Sequence, residues 1–257
     1  MSDLHFNADG LVLGHDPKVR LRAAVDFVTR HLADADHCLI TGDLVEDATD
    51  ENYRALAREL ARLPMPICPL PGNHDDRGMM ARLLDLPRPV MSDYVQYAMD
   101  LGDAVLLCLD TLVPGQDYGE LCKARLAWLH DQLRNAAGRT VLVAMHHPPV
   151  TLGLPMLDPD NLRNGSAVLD LLAAHDGNVQ ILAGHVHRPA SAVTGKIPIR
   201  TIRSILYQAP PPVPDWDWDS FLPAREAPNL AVVTVQKTQI TIQDLEFCLF
   251  ETGGALP

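Results

Sequence analysis

The chain alternates amphipathic, helix-like segments with short apolar runs. Leu21, Ala24, Val25, Val28 and Leu32 recur at the spacing of one helical face, and the apolar run 38–40 follows them. The same unit recurs along the chain, with apolar residues at helical spacing before the strand-like runs 67–70, 141–145 and 179–182. This alternation predicts an α/β fold in which helices separate successive strands.

The pattern changes after His187. Residues 199–205, 230–235 and 240–245 look like strands without a strong helix between them, which predicts a second, more antiparallel sheet. The prolines of segment 210–214 forbid a central strand and favour an ordered or semi-rigid loop. Because no linker or internal repeat divides the chain, we expect one domain over 1–257, with a Pro/Trp-rich loop at 207–228 inside it.

Composition narrows the class of partner. The formal net charge of −12 repels nucleic-acid polymers and anionic membranes, so we expect a small-molecule substrate and no membrane partner. No stretch approaches 18 apolar residues, and no charged-then-apolar leader opens the chain. The five cysteines are odd in number and widely spaced, which favours reduced thiols and a cytoplasmic location. These are Cys38, Cys68, Cys108, Cys122 and Cys248.

Five short polar segments carry the candidate chemistry, and four of them directly follow strand-like runs. Side chains at the ends of successive strands converge on one edge of an α/β sheet. The segments supply carboxylates, an amide and imidazoles, a set that suits Mn, Fe, Co, Zn or Ni better than an all-oxygen magnesium site. We therefore predict a two-metal hydrolase site. The segments are Asp3-Leu4-His5, Gly42-Asp43, Gly72-Asn73-His74-Asp75, His146-His147-Pro148 and Gly184-His185-Val186-His187.

Each segment also has a simpler interpretation. Gly-Asp after a strand is commonly a turn, and Gly-Asn-His-Asp is typical of an Asn-containing turn with capping residues. Beside two prolines, His147 is expected to support the ligands by packing or hydrogen bonding rather than to bind metal. Two interpretations of Trp216 and Trp218 are equally good. They form a wall that stacks against a base, or they anchor a loop or subunit contact.

The order and spacing of these segments resemble the calcineurin-like metallophosphoesterase superfamily. Segments 72–77, 109–115, 145–149 and 184–187 are most similar to bacterial class III cyclic-nucleotide phosphodiesterases and their glycerophosphodiesterase relatives. The resemblance implies a four-layer α/β/β/α sandwich of two packed mixed sheets. It also implies two divalent or mixed-valence ions of Mn, Fe, Co or Zn at one end of the sheets.

The resemblance assigns roles to the polar residues. It implies that a hydroxide bridging the metals attacks phosphorus, that Asp43 bridges both metals, and that His74 contacts the phosphate or assists the leaving group. Asp75 is expected to orient the His74 imidazole, and Asn73 to contact substrate as well as metal. The implied ligands of one metal are Asp3, His5, Asp43 and His187, and those of the other are Asp43, Asn73, His146 and His185.

The favoured substrate is a 3′,5′-cyclic nucleotide such as cAMP. The main alternative is a broad-specificity phosphodiesterase acting on glycerophosphodiesters. Some of those enzymes carry another active-site histidine near the position of Tyr207. This chain has no histidine there, which weakens the alternative. Tyr207, Trp216 and Trp218 are then candidate substrate contacts. Phosphoprotein phosphatase ranks lower, and a non-catalytic metal-dependent binding protein is the alternative of another class. The resemblance and the apolar carboxyl-terminal segments favour a homodimer or higher homo-oligomer.

The amino terminus departs from the family pattern. Only Met1 and Ser2 precede Asp3, whereas the family places a whole buried strand ahead of this motif. Two explanations stay open: the natural protein begins several residues earlier, or Asp3 and His5 lie on a mobile end, which predicts weak metal occupancy there. At the other terminus, we expect the tail 253–257 to be disordered.

Overall fold

Helices and strands alternate through most of the chain. The computed structural model describes residues 1–88 and 90–247; Cys248 and the tail 253–257 lie outside them. The helices are α1 (Pro17–His31), α2 (Asp50–Leu60), α3 (Arg77–Leu83), α4 (Lys123–Asn135) and α5 (Gly165–Ala173). The strands are β1 (Cys38–Thr41), β2 (Ile67–Leu70), β3 (Tyr97–Asp100), β4 (Ala104–Leu109), β5 (Thr140–Met145), β6 (Val179–Ala183), β7 (Ser191–Thr194), β8 (Ile197–Thr201), β9 (Asn229–Gln236) and β10 (Gln239–Glu246).

A six-stranded mixed sheet runs through the middle of the molecule. Its strand order is β3-β4-β5-β6-β8-β7, with a parallel centre and an antiparallel strand at each edge. Every residue of β4 and β5 is buried, because alternate side chains face two separate apolar cores. Leu106 and Leu142 lie in one core, and Val105 and Val141 lie in the other.

The two cores define the layers of the fold. Helices α1 to α3 share one core with the parallel pair β1-β2 and the antiparallel hairpin β9-β10. Helices α4 and α5 share the other core with the opposite face of the six-stranded sheet. The order of layers is therefore helices, strands, sheet and helices, and the predicted four-layer sandwich is confirmed.

Strand β8 differs from its prediction. It pairs in parallel with β6 inside the six-stranded sheet, not in a separate antiparallel sheet, and it ends at Thr201 rather than at residue 205. Beyond it the chain turns toward the amino terminus, where the Ser204 hydroxyl donates to the Asp3 carbonyl at 2.8 Å. The β9-β10 hairpin is antiparallel, as predicted.

The amino-terminal residues are anchored in the core. The Met1 ammonium donates to the Leu39 carbonyl at 2.8 Å, and the backbone N–H of Asp3 donates to the Gly42 carbonyl at 3.1 Å. Asp3 is 0% exposed and His5 is 3% exposed. The alternative in which these two residues lie on a mobile end is therefore wrong.

Helix starts follow local capping. The Asp16 side chain accepts from the Val19 N–H at 3.0 Å ahead of α1, and Asp76 accepts from the Met79 N–H at 2.8 Å ahead of α3. Helix α3, which the apolar pattern did not predict, thereby begins directly after the polar segment 72–75. Across the described ranges, none of the helices has the length and apolar character that a membrane crossing requires.

Candidate metal centre

Successive strand ends bring the predicted metal ligands together. Asp43 follows β1, Asn73 follows β2, His146 follows β5, and His185 and His187 follow β6. The amino-terminal segment lies beside β1 and adds Asp3 and His5 to the same edge. This is the edge at which open α/β folds place their sites.

One group of ligand atoms comes from Asp3, His5, Asp43 and His187, all within 4.8 Å of one another. The two imidazole Nε2 atoms of His5 and His187 are 2.9 Å apart. The His5 Nε2 atom lies 3.4 Å from the Asp43 Oδ2 atom, and the His187 Nε2 atom lies 3.6 Å from the Asp3 Oδ1 atom.

The second group adjoins it across Asp43. The His146 Nε2 atom lies 3.3 Å from the Asp43 Oδ2 atom and 3.1 Å from the Asn73 Oδ1 atom. The His185 imidazole lies beside that of His146, with ring centroids 5.1 Å apart. The Asp43 Oδ2 atom thus lies within 3.4 Å of an imidazole nitrogen of each group.

These donors fit two bound cations. The His185 Nε2 atom is buried and has no hydrogen-bond partner in the described part of the chain, a costly state for a polar atom unless a ligand satisfies it. The Nε2 atoms of His5 and His187, 2.9 Å apart, are close enough to bind the same cation. The mixture of carboxylate, amide oxygen and imidazole matches first-row transition metals.

The backbone of the site is strained in a way that typifies functional sites. Five of the seven predicted ligands have a left-handed φ, a conformation that costs a non-glycine residue roughly 1–3 kcal/mol. They are Asp3 (48°), His5 (40°), Asp43 (48°), His185 (72°) and His187 (47°). The surrounding fold holds these residues in conformations that aim their side chains at one point.

Two glycines allow the close approach of the ligand turns. A Cβ atom on Gly72 would lie 2.1 Å from the Asp43 Oδ1 atom, and one on Gly42 would lie 2.4 Å from the His146 Nδ1 atom. Neither distance is compatible with a side chain. Both positions therefore require glycine next to the ligands.

Burial and charge set the protonation of the ligands. Burial lowers the pKa of His185 to about 3 and that of His187 to about 4. Burial opposes the charged form of His146 too, but the neighbouring Asp43 raises its pKa to about 9. Burial raises the pKa of Asp43, but the nearby His146 and His5 outweigh burial and hold this pKa well below its usual range. Cations bind the neutral form of imidazole and the ionised form of a carboxylate, so His146 would release its proton when a cation binds.

Hydrogen bonds on the outer nitrogens orient the imidazoles. The Nδ1 atom of His146 donates to the Thr41 carbonyl at 2.9 Å, and that of His187 donates to the Tyr207 carbonyl at 3.2 Å. The Nδ1 atom of His5 lies 2.7 Å from the Glu46 carboxylate. Each bond turns the Nε2 lone pair toward the centre. Sequence reasoning missed Glu46, although its place three residues after Asp43 was a signal.

His74 lies at the open side of the centre, with 34% of its side chain exposed. Its Nδ1 atom donates to the Glu46 carbonyl at 2.8 Å, and its backbone N–H donates to the Asp43 carboxylate at 3.1 Å. The Glu46 carbonyl thus orients the imidazole. The expectation that Asp75 orients it is wrong.

Asp75 instead connects the two ligand turns. Its carboxylate accepts from the backbone N–H groups of Leu44 at 3.0 Å and Gly72 at 2.9 Å, and from the Tyr53 hydroxyl at 2.8 Å. Burial and the nearby charge of Asp43 raise its pKa to about 6. Asp75 therefore supports the turns that carry Asp43 and Asn73.

His147 lies close to His146 and His185 but makes different contacts. All three offer nitrogen atoms within 4.8 Å of one another, which alone would suggest a metal site. However, the His147 Nε2 atom donates to the Asp117 carbonyl at 3.0 Å, and its Nδ1 atom accepts from the Thr111 hydroxyl at 2.7 Å. With both nitrogens engaged, His147 has no lone pair for a cation.

Among the predicted aromatic substrate contacts, Tyr207 lies against an imidazole of the centre. The Tyr207 ring packs on His187 with centroids 4.2 Å apart. The rings of Trp216 and Trp218 contact each other, with centroids 5.5 Å apart. They connect to Tyr207 through Phe221, which sequence reasoning missed.

Comparison with known proteins agrees with this geometry. The family model described as calcineurin-like phosphoesterase matches residues 1–189. A probable cyclic nucleotide phosphodiesterase of Rhodopseudomonas palustris is 35% identical, over 96% of this chain and 91% of its own. The 3′,5′-cyclic adenosine monophosphate phosphodiesterase CpdA of Pseudomonas aeruginosa is 32% identical, over 87% of this chain and 81% of its own.

Two further relatives extend the comparison. A probable glycerophosphodiester phosphodiesterase GpdQ of Arcobacter nitrofigilis is 28% identical, over 81% of this chain and 78% of its own. A dimetal phosphatase from Danio rerio has the same fold, with a TM-score of 0.69, 15% identity and 96% of each chain covered. The chain therefore belongs to the calcineurin-like phosphoesterase family, whose members use a dimetal centre, and it is a hydrolase of the phosphodiesterase class.

Proposed function

We propose that this protein hydrolyses a 3′,5′-cyclic nucleotide, with cAMP the favoured substrate, at the candidate metal centre. The observation that carries the proposal is the position of Asp43 between two buried groups of imidazole and oxygen donors. The names of the two relatives at 35% and 32% identity support the choice of substrate.

We assign Asp3, His5, Asp43 and His187 to one cation, and Asp43, Asn73, His146 and His185 to the other. The proposed ions are two divalent or mixed-valence ions of Mn, Fe, Co or Zn. When bound, such a pair supplies Lewis-acid activation of a phosphoryl oxygen and lowers the pKa of a water molecule.

His74 is the proposed general acid. Its Nδ1–H stays bonded to the Glu46 carbonyl, so the Nε2 atom of the partly exposed ring is the one that faces the substrate. In its protonated form His74 transfers the Nε2 proton to the leaving alkoxide oxygen, and it is left as a neutral imidazole. Such proton transfer contributes typically 10²- to 10⁴-fold to a rate.

Tyr207 is the proposed hydrogen-bond donor to the phosphate. Burial, together with the charges of Asp3 and Asp43, raises the pKa of its hydroxyl, which therefore keeps its proton. A protonated phenol next to the ligand His187 can donate to a non-bridging phosphate oxygen.

Glycerophosphodiesters are the second candidate substrates. The relative from Arcobacter nitrofigilis, which carries a glycerophosphodiester phosphodiesterase name at 28% identity, favours them. We also propose that the whole chain acts as one domain in the cytoplasm. The free thiols of Cys38, Cys68, Cys108 and Cys122 support that location. A homodimer or higher homo-oligomer stays a prediction.

The test compares metal-loaded variants on cAMP and on glycerophosphocholine. His146→Ala is expected to lower both turnover and metal content, with a rate loss of at least about 100-fold. His74→Asn is expected to lower the rate by about 10²- to 10⁴-fold while keeping the metal content. His130→Ala is the matched control, because that side chain lies on α4 and is 54% exposed. Full activity in His146→Ala would contradict the proposal, and the ratio of the two substrate rates ranks the two candidates.

A further inference from the structure

The loop of residues 209–223 is attached at both ends beside the candidate metal centre. The Ala209 N–H donates to the carbonyl of the ligand His187 at 2.9 Å, and the Ala224 N–H donates to the Gln208 carbonyl at 2.9 Å. The Arg188 guanidinium donates to the Ala209 carbonyl at 2.6 Å and to the Glu226 carboxylate at 3.0 Å. The base of the loop is thus held in place next to the ligands.

A tight turn gathers three aromatic rings inside this loop. The Ser220 N–H donates to the Asp217 carboxylate at 2.8 Å, and the Asp217 N–H donates to the Ser220 hydroxyl at 3.0 Å. Around this turn the Phe221 ring lies 5.3 Å from Trp216 and 5.7 Å from Trp218. We call Trp216, Trp218 and Phe221 the aromatic cluster.

The aromatic cluster is continuous with the metal centre and open to solvent. Phe221 contacts Tyr207 at 6.2 Å, and Tyr207 contacts His187 at 4.2 Å. At its outer side Trp218 is 56% exposed. Indole rings usually lie buried, and an exposed apolar surface at the rim of a polar site is typical of a ligand-binding surface.

The chemistry of the cluster selects the kind of group that binds there. Asp215, Asp217 and Asp219 alternate with the tryptophans, so a second phosphate or another anion is disfavoured. The three rings touch one another, which leaves no space between them to enclose a trimethylammonium group. The free face of an exposed ring remains, and such a face stacks well on an uncharged planar ring.

We propose that the aromatic cluster is the subsite for the nucleobase of the substrate, which stacks there while the phosphodiester lies at the metal centre. This inference rests on the proposed function and adds to it the residues that select a nucleotide over a glycerophosphodiester. Trp218 supplies the stacking face, and Phe221 positions the tryptophans against Tyr207.

The test separates base recognition from catalysis. The metal-loaded enzyme hydrolyses methyl p-nitrophenyl phosphate as a reporter, and inhibition constants are measured for AMP and for ribose 5-phosphate, which lacks the base. We expect the wild type to bind AMP about tenfold more tightly or better, a typical effect of one stacked base. Trp218→Ala should bring the ratio of the two constants close to one, whereas Trp218→Phe should keep most of it.

The control is Val213→Ala, which removes an exposed apolar side chain from the same loop and should leave the ratio unchanged. Equal constants in the wild type, or an unchanged ratio in Trp218→Ala, would overturn the proposal. Selective binding of phosphocholine that is lost in Trp218→Ala would also overturn the proposal. The same holds if Trp218→Asp converts a dimer to a monomer while the ratio of the AMP and ribose 5-phosphate constants stays unchanged.

A reporter that is not hydrolysed would count against the proposed function alone. In that case binding to the base subsite is measured by the quenching of tryptophan fluorescence, and the quenching by adenosine is compared with that by ribose. A Trp128→Phe background leaves Trp216 and Trp218 as the fluorescent residues. Quenching by adenosine but not by ribose supports the subsite, and equal quenching by both compounds overturns it.

Discussion

Replacing Asp110 should cost far more stability than replacing any exposed acidic residue of this protein. Asp110 is 0% exposed at the end of β4 and accepts two bonds from the Arg77 guanidinium, at 2.6 and 2.8 Å. It also accepts the backbone N–H groups of Val95 at 2.9 Å and Leu112 at 3.1 Å. The guanidinium of Arg125 lies 3.7 Å away.

The magnitude follows from what Asp110→Ala leaves behind. Two guanidinium groups lose their carboxylate, and only 17% of the Arg77 side chain and 6% of the Arg125 side chain are exposed to water. Removing one partner of a buried ion pair costs about 3–5 kcal/mol, because the other charge stays buried. In a domain of this size, that loss corresponds to a fall of roughly 6–20 °C in the melting temperature.

The assay is urea unfolding followed by circular dichroism, with the metal content held equal because bound ions stabilise the folded state. Asp100→Ala is the matched control. Asp100 also binds an arginine through two bonds, to Arg139 at 2.7 and 3.1 Å, but 69% of its side chain is exposed. The control should unfold close to the wild type. If Asp110→Ala costs no more than Asp100→Ala, the reasoning from burial is refuted.

Three further predictions follow from single sites. Gly72→Ala places a carbon 2.1 Å from the Asp43 carboxylate, so metal content and turnover should both fall, and unchanged metal binding would argue against the close approach. The hydrogen bond from Arg22 lowers the pKa of Glu59 from its ordinary value of 4.5 in the folded protein. The ionised Glu59 carboxylate therefore stabilises the fold above pH 4.5, and this stabilisation is lost as the pH falls through the lower pKa of the folded state. Urea unfolding of Glu59→Gln should therefore show a deficit at pH 7 that shrinks toward pH 3, and a constant deficit would contradict this. Burial raises the pKa of the Cys122 thiol, but hydrogen bonds, first among them that with the Tyr94 hydroxyl, together outweigh burial and lower this pKa to about 6. Iodoacetamide at pH 7 should therefore alkylate Cys122 well before the buried cysteines, as measured by peptide mapping.

Much of the fold could be predicted because the apolar periodicity is strong. The predicted helical face over 21–32 is the buried face of α1, and the strand-like run 141–145 is a strand buried on both faces. Since a strand followed by a polar residue recurs four times, the convergence of ligands at one sheet edge was predictable as well. The position of β8 was not, because pairing partners depend on contacts distant in sequence.

The remaining errors concern bonds that spacing does not encode. Asp3 and His5 are anchored by hydrogen bonds to Gly42 and Asp43, more than thirty residues away. The orientation of His74 depends on the backbone carbonyl of Glu46, which no side-chain motif records. Adjacent residues such as Asp75 look like partners in the sequence but point toward other turns in the fold.

The most direct test of the dimetal site is the number of ions bound per chain, measured together with turnover. Metal-free protein is titrated with Mn²⁺ while bound metal and the hydrolysis of cAMP and bis(p-nitrophenyl) phosphate are followed, with Asp43→Asn as the comparison. We expect two ions per chain in the wild type, turnover that a chelator removes and Mn²⁺ restores, and loss of both ions' tight binding in Asp43→Asn. Full turnover with one ion or none, or with Asp43→Asn unaffected, would contradict a centre bridged by Asp43.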